Sequence, residues 1–302
     1  MRKIRLIFSL LLFASLACNA RQHNDTAHVI IIAGQSNTDG RVPVAQLPAY
    51  IKRYANRNAT PQYSEGAYPY CLIARNDISG RFKPYWPCAV RDRGTNALWG
   101  YDAVAMFLIG EKLQQPFYVI KWAVGGTSIQ HGNNPDKGRY WSADPQWLAV
   151  NKPTAKGGHS LLLSLMAEAD SCIDNTLAGL NRGYRIDAFV WHQGESDCKF
   201  GSRYYDNLSA MVKYVRTRLT LKTGKNYMNL PFVFGTVARS NKQYSAEVEE
   251  AQRRFASEDG NAYLIDMGDA TLLKDRLHFD AGSAEKMGRK VARIVLKLIS
   301  RK

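Results

Sequence analysis

Short apolar runs rich in β-branched and aromatic residues recur along this chain, with longer stretches of helical spacing between them. That alternation restricts the fold to a parallel sheet covered by helices. Val29–Ala33, Phe117–Ala123, Ala188–His192, Phe232–Val237 and Ala262–Ile265 predict five strands. Helices are predicted over Tyr101–Gln114, Leu161–Leu180, Tyr205–Leu221, Ser245–Ser257 and Ala281–Ser300. Leu208, Met211, Val212, Val215 and Leu219 follow the i, i+3, i+4, i+7 pattern, as do Met287, Val291, Ile294, Val295 and Leu298, so each helix offers one apolar stripe to a sheet. Right-handed crossovers then give a three-layer α/β/α sandwich of about five parallel strands, with ligands at the carboxyl ends of the strands.

The 302 residues suffice for one large domain, expected over 28–302. Ahead of it, residues 1–20 read as an export signal: Arg2, Lys3 and Arg5 form a basic head, and Leu6–Ala17 is too short to span a bilayer. Cys18-Asn19-Ala20 fits a small-residue cleavage site, whereas Ser15-Leu16-Ala17-Cys18 fits a lipoprotein box with Cys18 carrying the lipid. Either ending implies export, to the periplasm, the cell envelope or the medium. An exported chain favours disulfides, and Cys71 with Cys88 and Cys172 with Cys198 are the expected pairs. No Cys-x-x-Cys or His-x-x-x-His spacing supports zinc. The net charge of +15 favours acidic surroundings, although much of it falls on solvated helix faces such as Arg289, Lys290, Arg293, Lys297 and Arg301.

Two stretches break the rhythm, Arg41–Asn96 and Gly125–Gly158, and are expected to be loops over the functional face. Their aromatic residues, among them Tyr68, Tyr70, Tyr85, Trp86, Tyr140, Trp141 and Trp147, either stack on sugar rings or pack the loops themselves.

The polar residues that follow the strands carry the chemistry. Gly34-Gln35-Ser36-Asn37 puts a hydroxyl at a strand-to-helix turn, where Ser36 reads either as a helix cap or as a nucleophile whose amide and helix dipole face a developing oxyanion. It lacks the second glycine of a Gly-x-Ser-x-Gly elbow, which disfavours an α/β-hydrolase. Gly125-Gly126-Thr127-Ser128 follows the second strand with glycines that admit a carbonyl close to the backbone, and His192-Gln193-Gly194-Glu195 follows the third with an amide and a carboxylate. Asp275-Arg276-Leu277-His278 places a carboxylate three residues before an imidazole, a general base with its orienter; the alternative is that Asp275 and Asp280 cap the last helix.

These four blocks, in this order over roughly 28–300, resemble the SGNH/GDSL hydrolases, and within them the sialate O-acetylesterase-like group that includes carbohydrate esterase family 6 and its acetylxylan esterases. The resemblance implies a flavodoxin-like sandwich and a serine esterase that removes O-acetyl groups from carbohydrate without cofactor or metal. Ser36 matches the nucleophile and His278 the base. Asp275 matches the acid, with Glu195 its rival. The oxyanion hole is matched by Ser36, Gly125 or the adjacent Gly126, and Gln193. The implied partner is acetylated carbohydrate rather than nucleic acid, with a membrane reached only through a lipid on Cys18. A noncatalytic carbohydrate-binding protein and a broader SGNH lipase or thioesterase are the competing readings.

Overall fold

The computed structural model describes residues 26–55, 68–87, 97–132, 138–153 and 159–301. The export signal, Cys18 and Cys88 lie outside them. Strand β1 (Ala27–Gly34) leads into the one-turn helix α1 (Ser36–Asp39), followed by β2 (Val42–Pro43), α2 (Ala49–Ala55), β3 (Cys71–Arg75), β4 (Lys83–Pro84) and β5 (Leu98–Trp99). Then come α3 (Tyr101–Leu113), β6 (Phe117–Ala123), α4 (Pro145–Val150), α5 (Leu161–Asn175), β7 (Tyr184–His192), α6 (Gly201–Thr223), β8 (Phe232–Gly235), α7 (Ala246–Glu258), β9 (Ala262–Ile265) and α8 (Ala281–Ser300).

Among the described residues, seven strands form the main sheet in the order β4-β3-β6-β1-β7-β8-β9, all parallel except β4. The strands at the five predicted positions, β1, β6, β7, β8 and β9, are in the flavodoxin-like 2-1-3-4-5 order. The expectation of about five strands is corrected by β3 and β4, which lie inside the stretch read as a loop. Cys71-Leu72-Ile73-Ala74 is a short run amid tyrosine, proline and arginine, and β4 has only two exposed residues, so neither gives a pattern of strand length.

Every residue of β1 is buried, because the sheet is covered on both faces. Ile30 and Ile32 belong with Val104, Ile109, Met287 and Val291 of α3 and α8; Val29, Ile31 and Ala33 belong with Leu165, Leu208, Val212 and Val248 of α5, α6 and α7. Successive β1 side chains thus feed opposite cores, which gives the α/β/α sandwich its three layers. Asp280 starts α8 by accepting the Ser283 amide at 2.8 Å. Among the described residues, no helix is long and apolar enough to cross a membrane.

The expected Cys172–Cys198 bridge is absent, and Cys71 is also a free thiol. Cys172 is buried in the α5 core, whereas Cys198 borders a cleft at the strand ends. The aromatic residues Tyr68, Tyr85, Tyr140 and Trp141 are buried within the loops they anchor.

The α3–α8 contact is close because residue 288 is glycine: a β-carbon there would stand 2.4 Å from the Tyr101 carbonyl oxygen and 2.7 Å from Val104 Cβ. Gly288→Ala, which would stabilise an exposed helix by about 1 kcal/mol, should therefore destabilise this protein by about 1–3 kcal/mol through overpacking. Denaturant unfolding of the two forms measures the sign.

Candidate active site

The chain leaves β1 through Gly34, whose φ of +146° suits glycine, and a β-carbon there would meet the His192 carbonyl oxygen at 2.2 Å. This tight passage brings Ser36 to the carboxyl edge of the sheet as the first residue of α1. Gln35 N–H donates to the His192 carbonyl at 3.2 Å, and Val124 N–H to the Gly34 carbonyl at 3.2 Å, so the ends of β1, β6 and β7 are stitched together beside the hydroxyl.

A cleft of about 670 Å³ opens at this edge, bordered by Ser36, Gly125, Gly126, Glu195 and His278 among others. Gly125 lies against Ser36: its hypothetical β-carbon would be 3.4 Å from Ser36 Cβ. Gly126 takes a φ of +69°, which lets the chain turn away after β6.

His278 sits in the segment between β9 and α8. Its Nδ1 is 2.5 Å from Asp275 Oδ2, while Asp275 Oδ1 accepts the amides of Leu277 (2.9 Å) and His278 (3.1 Å). Burial works to raise the Asp275 pKa but is outweighed by the Leu277 amide, the His278 ring and the His278 amide, so the carboxyl is held below its ordinary value. An ionised carboxylate only accepts, so Nδ1 carries the proton and Nε2 has a lone pair available to take one.

The structure brings Asp275, and not Glu195, to the imidazole. Glu195 Oε1 instead accepts from Asn37 Nδ2 at 2.8 Å and lies 3.4 Å from His192 Nε2. Although burial pushes the Glu195 carboxyl up, His192 and the Asn37 amide hold it below its ordinary value. Asn37 does more than occupy the motif: its Oδ1 accepts the Phe279 amide at 2.9 Å and its Nδ2 reaches the Leu277 carbonyl at 3.4 Å, gripping the chain on both sides of His278. Asn241 Nδ2 adds a bond to the same carbonyl at 2.9 Å.

Gln193 departs from expectation. Its amide nitrogen donates to Asp197 Oδ2 at 2.6 Å and to the Thr127 carbonyl at 3.3 Å, and its oxygen accepts from Tyr204 at 3.1 Å. The side chain is fully buried and both of its N–H groups are used, leaving none for an oxyanion. The helix-dipole contribution is also smaller than expected, since α1 has only four residues.

Asp197, two residues beyond the Glu195 carboxylate that drew attention, accepts the Ile129 and Gln130 amides at 2.8 and 3.0 Å as well as Gln193. It thereby fixes the course of the loop after Gly125-Gly126. The one sequence signal that it had is its place at the end of the polar run that follows β7.

The family model described as carbohydrate esterase, sialic acid-specific acetylesterase matches residues 26–297. The chain belongs to this family. A search of curated proteins finds no match. Among solved structures, a protein from Arabidopsis thaliana matches with a TM-score of 0.60 at 20% identity, covering 90% of this chain and 98% of that one. A carbohydrate acetylesterase from Xanthomonas citri matches with a TM-score of 0.53 at 13% identity, over 91% of this chain and 57% of the other. At such identities the two structures bear on the fold, which they share with this family member.

Burial pushes the Asp197 carboxyl up to about 6, against the opposing pull of the Gln130 and Ile129 amides and Gln193. A carboxyl raised above its unfolded value of about 3.9 makes the folded form bind the proton more tightly, so this contribution is present in full below about pH 4 and is lost as pH rises through about 6. The stability of the native protein relative to Asp197→Asn should accordingly fall by about 3 kcal/mol between pH 4 and pH 7. Denaturant unfolding of both forms across that range tests this; a difference that stays level with pH counts against it.

Proposed function

We propose that this protein is a serine esterase that removes O-acetyl groups from carbohydrate through an acetyl-serine intermediate. The observation that carries the reading is the Asp275–His278 pair on the same cleft as Ser36, with Gly125 packed against the serine. A hydroxyl, an imidazole with Nδ1 tied to a carboxylate, and a backbone turn beside the hydroxyl are the parts that acyl transfer requires.

In the first half-reaction Ser36 Oγ bonds to the acetyl carbon as His278 Nε2 takes the hydroxyl proton, and the carbonyl π pair moves onto oxygen. The amides of Ser36 and of Gly125, or of Gly126 beside it, receive that oxyanion. As the C=O re-forms, the bond to the sugar oxygen breaks and that oxygen leaves with the proton from His278. Water then repeats the sequence on acetyl-Ser36, giving its proton to His278 and releasing acetate. Asp275 supports the imidazolium in both halves, and Asn37 keeps the ring's segment in register with Ser36.

Membership of the acetylesterase family supports an acetylated sugar as substrate. Acetylated xylan, acetylated pectin and O-acetyl sialic acid all fit the residues. Arg139 and Lys199, exposed on the cleft border, weight the choice toward a carboxylate-bearing sugar.

Acetate release from these three substrates provides the test. Ser36→Ala and His278→Ala should each lose about 10⁴-fold or more in kcat, and Asp275→Asn about 10²–10⁴-fold. Glu195→Gln should lose less than Asp275→Asn, because its side chain acts on Asn37 and not on the imidazole. Undiminished acetate release by Ser36→Ala sinks the reading, and turnover of long acyl esters in preference to short ones redirects it to a lipase.

A further inference from the structure

The oxyanion that forms when Ser36 attacks an ester lacks one side-chain donor expected for it. The one-turn α1 supplies little dipole, and the Gln193 amide is spent on Asp197 and Thr127. Beside the serine, however, lies a cation that neither the sequence motifs nor the family description assigns to the chemistry. Arg41 borders the cleft with its side chain 22% exposed, and its Nη1 donates to Asp39 Oδ2 at 2.7 Å and to the Gly40 carbonyl at 2.5 Å.

Those two bonds fix the guanidinium over Gly125. A β-carbon on residue 125 would stand 2.5 Å from Arg41 Nη2 and 3.4 Å from Ser36 Cβ, so a single small volume separates the guanidinium from the serine methylene, and it is empty because residue 125 is glycine. Residue 125 has no positive φ, and the atom its β-carbon would meet is the end of the Arg41 side chain, so the contact marks how near the guanidinium lies to the serine. Arg41, Gly125 and Ser36 border one part of the cleft, the part in which an ester attacked by Ser36 would be held.

We propose that Arg41 is a further catalytic residue, donating from Nη2 to the oxyanion beside the backbone amides and filling the place vacated by Gln193. The proposal rests on the reading of Ser36 as nucleophile. Its physical basis is preorganisation: a permanently charged planar donor, already held by Asp39 and Gly40, meets developing negative charge without having to reorient. Asp39 offsets part of the positive charge but leaves the direction of the N–H bonds intact.

Binding a substrate carboxylate is the competing duty for such an arginine, and a neutral ester separates the two. Wild type, Arg41→Ala, Arg41→Gln and Ser36→Ala are assayed on a neutral aryl acetate, with inhibition by a small arylboronic acid, which adds to a serine oxygen as a tetrahedral anion. Arg41→Ala should lose about 10²–10³-fold in kcat with KM changed only a few-fold. Boronate affinity should fall in step with kcat, and Arg41→Gln, which keeps a neutral donor, should lie between. Wild-type kcat on the neutral ester in the folded variants overturns the proposal, and a rise in KM confined to carboxylate-bearing sugars then assigns Arg41 to substrate binding. Should Arg41→Ala fail to fold, Arg41→Gln decides by the same criteria. Full turnover by Ser36→Ala would be a separate failure, of the nucleophile and not of Arg41.

Discussion

One side-chain amide holds the functional edge of this protein together. Asn37 reaches Glu195 after β7 and the backbone on both sides of His278, residues that lie 158 to 242 positions away in the chain. Bonds between such distant segments must be geometrically reliable, because loop closure has already cost chain entropy. Burial supplies that reliability: Asn37 and Glu195 are both almost without solvent, where an unmade hydrogen bond costs more than in water. His278 can then sit in an otherwise exposed segment and still keep its place relative to the head of α1.

The rim beyond Asn37 is built by the same means. Asp197 collects two amides of the loop after β6 and the Gln193 side chain, and Gln193 in turn bonds to Thr127 and Tyr204. The glycine-rich turn beside Ser36 therefore draws its shape from carboxylate and amide groups of the segment that follows β7. Polar side chains that sequence patterns would assign to substrate here serve as scaffolding for the loops that border the cleft.

What was legible in the sequence follows the physics of burial. β1, β6, β7 and β8 were visible because central strands packed on both faces are nearly continuous apolar runs, β9 at the sheet's edge because Ala262-Tyr263-Leu264-Ile265 is still an unbroken apolar run, and α8 matches its predicted bounds because Asp280 caps it. β3 and β4 were hidden because the outer strands have little apolar length. The four polar blocks could be found since each directly follows a strand or precedes a cap. Direction was not: composition does not say that the Gln193 amide turns inward to Asp197, that Glu195 faces Asn37, or that Arg41 folds back over Gly125. The cysteine expectation failed for a related reason, since parity and export say nothing of Cys172 lying in a helix core and Cys198 on a cleft.

Among the described residues, the outer margin of the sheet beyond β3 ends at Lys83 and Pro84, both exposed. Proline has no amide hydrogen to offer a neighbour, and a lysine ammonium resists dehydration, so a further strand would find neither a continuous ladder nor an apolar surface there. Among the described residues, that flank of the sheet is thus a poor template for the strand of another copy.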